Sequence, residues 1–265
     1  MSNASGHDFA GATAVVTGAG QGIGAAIAKG FAAAGAHVVL NGRRAATLEA
    51  VCEEIRGAGG SAESCAGDVT DPIHLDELMA RAGGERGAFE ILINNAGIAG
   101  PTAPLADVTL DDWDETLAVN LTGVFLACKA ALPYLGRVEH GKIVTIGSVT
   151  GKQPLMNRSP YAAAKLGVVG LTRTLAQEVG PSGISVNVIS PWLVDGARLE
   201  DVVSSMSKER GLTPEQLRAE MTEGTAFKRT VAESDVVGTT LFLCSPAANN
   251  LTGQDINVSA GAVMY

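Results

Sequence analysis

Tyr161 and Lys165, in the run SPYAAAK from Ser159 to Lys165, place a phenol and an ammonium four residues apart. On a helix that spacing puts both groups on one face, one turn apart. A free tyrosine titrates near pH ~10 and is a weak acid–base group at neutral pH, so a nearby cation is the direct way to stabilise its phenolate. Local signals agree: Ser159 reads as an N-cap and Pro160 as the first helical residue. Tyr161 then falls in the first turn, where the helix dipole favours negative charge. Such a site is built to stabilise a phenolate. The same spacing also describes a half-buried ring beside a solvated lysine, so the chemical reading depends on what else the chain carries.

A second run, TGAGQGIG from Thr17 to Gly24, lies between a β-branched stretch and an Ala-rich amphipathic one. Glycines there allow a tight turn and close backbone approach to phosphates, and the following helix N-terminus offers free N–H groups and a positive dipole. The strict GxGxxG spacing fails from Gly18, because Ile23 stands where the last glycine belongs, and from Gly20 it fits only as GxGxxA.

These runs need elements to hold them. From Ala12 onward short β-branched segments alternate with longer Ala/Leu-rich ones, the βαβ pattern of a parallel sheet covered on both faces. The spacing predicts strands at Ala12–Thr17, Ala36–Asn41, Ser61–Ala66, Glu90–Ile93, Gly141–Ile146, Gly183–Ile189 and Gln254–Val258. It predicts helices at Ile23–Ala34, Ala45–Ala58, Ile73–Glu85, Leu110–Leu135, Tyr161–Val179 and Ser234–Cys244. The expected fold is α/β: one Rossmann-like, doubly wound parallel sheet of about seven strands, with helices on both faces. Residues 1–8 read as a flexible tail and 9–265 as one domain. The polar stretch 191–229, with helical patterns near Leu199–Glu209 and Pro214–Met221, reads as a substrate lid or as a solvated excursion without function.

Composition narrows the classes. The 265 residues are 46% hydrophobic with only 4% aromatic, which suits closely packed helices on parallel strands, and the formal net charge is −9. An acidic chain without a basic block is a poor binder of nucleic acid or anionic membranes. Cys52, Cys65, Cys128 and Cys244 are far apart, and His7, His37, His74 and His140 show no ligand spacing, so no metal site is expected. No secretory leader is evident and no segment reads as a membrane span, so a cytoplasmic protein is expected.

The spacing TGxxxGxG at Thr17, Gly18, Gly22 and Gly24 resembles the short-chain dehydrogenase/reductase family, and further motifs follow in that family's order. NNAG stands at Asn94–Gly97, Asn120 in a long helix, Ser148 after the fifth strand, and Tyr161 and Lys165 beyond it. Singly, Asn94 and Asn95 could be turn residues, Asn120 a satisfied core amide and Ser148 a cap. The resemblance implies hydride transfer between a nicotinamide and a carbonyl or secondary alcohol. It implies that Tyr161 moves the proton and that Lys165 lowers the Tyr161 pKa and holds the nicotinamide ribose. Ser148 would donate to the substrate oxygen, and Asn120 would place Lys165 through a water. It assigns cofactor binding to Thr17, Gly18, Gln21, Gly22, Ile23, Gly24, Asp68, Val69, Asn95, Ala96, Gly97, Pro191 and Val194, along with Tyr161 and Lys165.

Cofactor choice is read in VVLNGRR: Gly42 stands where NAD-preferring relatives carry Asp, and Arg43 and Arg44 follow, able to pair with a 2′-phosphate. NADP(H) is favoured; NAD(H) stays open, since the arginines could simply solvate the next helix. In NVISPWLVDGA, Pro191 and Val194 match the family, whereas Trp192 replaces a glycine and Gly196 a threonine. Trp192 is a packing residue or a substrate wall. Gln153 and Arg198 are candidate substrate contacts, with a salt bridge to Glu200 or Asp201 the alternative for Arg198. The substrate would be a small or medium molecule, polar, sugar-like or cyclic. A 3-oxoacyl (acyl-carrier-protein) reductase is the close alternative, and a non-catalytic dinucleotide sensor the alternative from another class. The apolar end of QDINVSAGAVMY and the family's habit imply a homotetramer or homodimer.

Overall fold

The computed structural model describes residues 8–265, without the side chains of Arg198, Ser205 and Glu209. The expected tail therefore lies, apart from Asp8, outside the described residues. Seven strands form one parallel sheet: β1 (Thr13–Val16), β2 (His37–Gly42), β3 (Ser61–Ala66), β4 (Ile91–Asn94), β5 (Lys142–Ile146), β6 (Ser185–Pro191) and β7 (Asp255–Val258). Their order is β3-β2-β1-β4-β5-β6-β7, so the chain reverses direction across the sheet at β1. Val15 pairs with Val39 on one side and Leu92 on the other.

Alternation along each strand supplies two cores, because successive side chains point to opposite faces. Val16, Val38, Leu40, Ile91 and Ile93 meet α1 (Gly22–Ala33), α2 (Ala45–Gly57) and α9 (Glu233–Cys244) through Ile27, Phe31, Leu48, Val51 and Leu241. Val15, Val39, Leu92, Ile143 and Val186 meet α3 (Pro72–Gly83), α5 (Gly123–Leu135) and α6 (Ser159–Val179) through Leu75, Leu78, Val124, Ala127 and Val168. Burial on both faces explains why the strands read as nearly continuous apolar runs. Each fully buried Leu, Ile or Phe contributes roughly 1.5–3 kcal/mol.

Three expectations need correction. First, Leu110–Leu135 is not one α-helix: α4 (Leu110–Leu117) passes into a π-helical turn, Ala118–Thr122, before α5 begins. Second, the cap of α6 is Arg158, whose carbonyl accepts from Ala162 N at 2.9 Å, and Ser159 is the first helical residue with its hydroxyl buried and unpartnered. Pro160 thus stands at the second helical position, where its missing N–H costs no helical hydrogen bond. Third, Leu110–Leu135 is long and apolar enough, by length and composition, to cross a membrane. Its place in the fold accounts for that composition, since Val124, Ala127, Cys128, Ala131 and Leu135 are buried against the sheet.

Within 191–229 two helices form, α7 (Ala197–Arg210) and α8 (Pro214–Thr222), joined by a small cluster of Leu199, Val203 and Leu217 apart from both main cores.

Candidate active site

The carboxyl ends of β1, β4, β5 and β6 lie along one rim of the sheet, beside the point where strand order reverses. At the end of β1, Thr17 Oγ1 donates to Ile93 O (3.3 Å) and accepts from Asn95 N (3.0 Å) and Ala96 N (3.1 Å). Asn95 Nδ2 answers by donating to Thr17 O (3.0 Å) and Gly18 O (3.1 Å). The glycine loop and the NNAG run are therefore one hydrogen-bonded unit. Gly18 has a φ of +64°, and a Cβ there would lie 2.8 Å from Ala96 Cα, so only glycine fits. At Gly24 a Cβ would come within 2.3 Å of Gly18 O.

The cradle this leaves suits a dinucleotide diphosphate. Gly22 starts α1, its cap Gln21 makes no side-chain cap hydrogen bond, and the first turn holds no acid. Ile23 is half-buried within that turn. Exposed backbone N–H groups with a positive dipole are thus available to an anion. Gln21 Oε1 instead accepts from Arg44 Nη2 at 2.5 Å, which brings the second arginine to the loop. Gly42 ends β2. Burial pushes Asp68 up, but the Thr70 N–H (2.9 Å) and hydroxyl (2.8 Å), with Arg43 and His74 nearby, outweigh this and hold its carboxyl below the usual range. Val69, next to it, is buried.

Asn120 sits in the π turn, fully buried, accepting from Ile98 N (3.1 Å) and donating to Ile98 O and Thr116 O (3.0 Å each). Such turns often mark functional sites, because the extra residue redirects one side chain. Here the amide clamps the chain just after NNAG. A Cβ on Gly97 would lie 2.7 Å from Asn120 Oδ1 and 3.8 Å from Lys165 Nζ, so both residues converge on Gly97. Buried Lys165 donates to Ile146 O at 2.8 Å, and its Nζ is 5.7 Å from the Tyr161 ring centre. Tyr161 is half-buried, with the Arg158 guanidinium 5.3 Å from its ring centre. Ser148 Oγ accepts from Thr150 N at 3.2 Å and caps the short turn Val149–Gly151. That turn rests on α6: a Cβ on Gly151 would be 2.8 Å from Leu166 N.

Pro191 ends β6, and Val194 forms a bridge with Val231. The departures there have a structural reason. The left-handed corner falls at Leu193 (φ +24°) and not at half-buried Trp192, whose N–H donates to Val258 O. Gly196 has a φ of +146°, and a Cβ would be 3.1 Å from Glu233 Oε1, so a threonine would be strained and crowded. The segments flanking the site are joined by Ala103 N to Asn157 O (3.1 Å) and Arg158 Nη1 to Thr102 Oγ1 (2.7 Å). Gln153 is exposed beside the Ser148 turn. The Arg198 side chain lies outside the described residues.

Sequence reasoning missed Asn41, buried in β2 and donating to Cys65 O (3.1 Å), Gly67 O (3.3 Å) and His74 Nε2 (2.8 Å) beneath the Asp68 loop. A lone amide inside an apolar strand was the available signal. It also missed Lys152 and Asp255, for which no local pattern exists. Among the described residues no three His, Cys, Asp or Glu side chains gather to hold a metal ion.

The sequence pattern of the family described as short chain dehydrogenase matches residues 12–207. The D-beta-hydroxybutyrate dehydrogenase of Rhizobium meliloti is 35% identical over 94% of this chain and 97% of its own. A 3-oxoacyl-(acyl-carrier-protein) reductase from Synechocystis is 35% identical over 95% of this chain and 97% of its own. A crystal structure of an actinorhodin polyketide ketoreductase variant with NADPH superposes with a TM-score of 0.89 at 33% identity, covering 96% of this chain and 98% of that one.

Proposed function

Because the chain belongs to the short-chain dehydrogenase family, oxidoreductases acting on hydroxyl and keto groups, we propose that it is an NADP(H)-dependent enzyme for a small or medium carbonyl or secondary alcohol. The observation that carries this reading is that Lys165 lies beside both the Tyr161 ring and Gly97, with the Ser148 turn resting on the same helix and the NNAG run bonded to the glycine loop that opens α1. The diphosphate would rest on Gly18–Gly24 and the adenine end against Asp68 and Val69. A 2′-phosphate would meet Arg43 and Arg44, and Gly97, Pro191 and Val194 would flank the nicotinamide. The bound nicotinamide supplies or accepts the hydride.

The chain's own residues handle the proton. In reduction Tyr161 donates its phenolic proton to the substrate oxygen as negative charge develops there; in oxidation the phenolate takes the alcohol proton. Lys165 stabilises the phenolate through its field, and Ser148 donates a hydrogen bond to the same oxygen. Asn120, by clamping Ile98, keeps the Gly97 wall in place.

The names of the two relatives, a 3-hydroxy acid dehydrogenase and a 3-oxoacyl reductase, favour a substrate with oxygen at the position β to an acid or thioester. Carrier-bound 3-oxoacyl chains are the second reading, against which the −9 net charge stands, since an acidic carrier would be repelled. Exposed Phe125 on α5 and Leu166 on α6 support a homotetramer or homodimer, which light scattering would size.

The test is turnover of wild type and Tyr161→Phe on 3-hydroxybutyrate, 3-oxoacyl thioesters with and without carrier, cyclic ketones and keto-sugars, each with NADPH and NADH. Tyr161→Phe should bind cofactor normally and lose about a hundredfold or more in kcat. Turnover at the wild-type rate would overturn the mechanism.

A further inference from the structure

Lys152 lies one residue beyond the turn that Ser148 caps, and Asp255 is the first residue of β7. Lys152 Nζ is 2.8 Å from Asp255 Oδ2, between side chains only 12% and 4% exposed. The approach is a charge contact and not an aligned hydrogen bond. Lys152 also donates to Asn257 Oδ1, and Asn257 Nδ2 donates to the main-chain oxygen of Tyr265 at 3.2 Å. The other carboxylate oxygen of Asp255 accepts from Ser190 Oγ at 2.6 Å, and Ser190 immediately precedes Pro191. One carboxylate on the last strand thus grips both the Ser148 turn and the end of β6, two walls of the proposed site.

Stability alone does not account for this arrangement. A buried ion pair loses much of its attraction to desolvation and often contributes no more than an apolar pair of the same volume. What the pair does supply is a second tie further out: the backbone joins the two segments at Gly147 N to Ile189 O (2.7 Å), whereas Lys152 lies beyond the end of β5 and Pro191 pairs with Val258 in β7. Such support around reacting groups matters because a displacement of about 1 Å can cost on the order of a hundredfold in rate.

We infer that Lys152 and Asp255 form a strut that positions Ser148 against Tyr161, with Asn257 and the C-terminal residue bracing it. The inference rests on the reading of Ser148 and Tyr161 given above. Lys152 and Asp255 are positioning residues: neither exchanges a proton with the substrate.

The decisive variant is Lys152→Met combined with Asp255→Asn, which removes both charges without stranding either and leaves an acceptor for Ser190. Four quantities are measured: kcat, substrate KM, NADPH affinity by fluorescence, and amide exchange over residues 148–158 in the free protein. The double variant should lose about ten- to a hundredfold in kcat, with KM and NADPH affinity within about threefold of wild type. Exchange should quicken at 149–153, and Lys152→Arg, which keeps the charge, should recover most of the rate. Unchanged turnover with unchanged exchange would overturn the strut. So would a rate loss matched by equal losses of NADPH affinity and of protection across the whole sheet. If wild-type turnover proves insensitive to Tyr161→Phe, the proposed mechanism fails while the exchange at 149–153 still decides whether the pair holds the turn.

Discussion

Gly42 closes β2 with Leu48 Cδ2 the nearest atom to a Cβ built on it, at 3.4 Å, an ordinary contact distance. A side chain is therefore tolerated where an acid would meet the adenosine ribose. If Arg43 and Arg44 hold a 2′-phosphate as proposed, Gly42→Asp should fold normally and, by repelling that phosphate, shift the ratio of kcat/KM for NADPH over NADH by about tenfold or more toward NADH. A ratio that does not move would remove the case for NADP(H). At this scale much was legible in the chain. Tyr161 and Lys165 are neighbours because i and i+4 are neighbours on a helix, a purely local fact. The Gln21–Arg44 and Asn41–His74 contacts were not legible, since each joins segments that only the folded sheet brings together. The cap of α6 was misplaced by one residue, because Ser159 suits a cap by type while the first helical acceptor is the Arg158 carbonyl.

Among the elements, the α4–π–α5 run shows where periodicity stops informing. One π turn adds a single residue to the helical spacing, too little to break an apolar pattern over 26 residues, so Leu110–Leu135 read as one helix. The turn matters because it aims Asn120 at Ile98. Asn120→Ala would strip partners from Ile98 N, Ile98 O and Thr116 O together, and should cost about 2 kcal/mol or more of unfolding free energy. The urea midpoint would fall accordingly, and kcat would fall further than NADPH affinity because the Gly97 wall loosens. An unchanged midpoint would mean that solvent replaces all three contacts. The strands were read nearly in full, since a parallel sheet buried on both faces writes itself as short β-branched runs. The helices of 191–229 were placed to within two residues, although their small separate cluster left no periodic trace beyond the apolar spacing.

For the molecule as a whole, titration separates folded from unfolded chain at alkaline pH. Burial pushes the Cys128 and Cys244 thiols from 9.0 up to about 12. A raised folded pKa means that the native state keeps protons the unfolded chain has lost, so the contribution is whole below pH 9 and is lost between pH 9 and about 12. Lys142, held below its usual range by burial and adjacent to Cys244, acts with the opposite sign as pH climbs toward 10.5. Urea unfolding from pH 7 to 11 should show stability falling above pH 9, and the fall should flatten in Cys128→Ala/Cys244→Ala. An equal slope in both proteins would show that the thiols reach solvent in the native state. The weld at the site has a consequence of another kind. Thr17 and Asn95 are 78 residues apart, so the cradle exists only after β4 has docked beside β1. Contacts so distant along the chain form slowly, because a long loop must close before they return any energy. On a ribosome the glycine loop therefore emerges well before it can hold a nucleotide, and ligand capture waits on topology more than on the loop's own conformation.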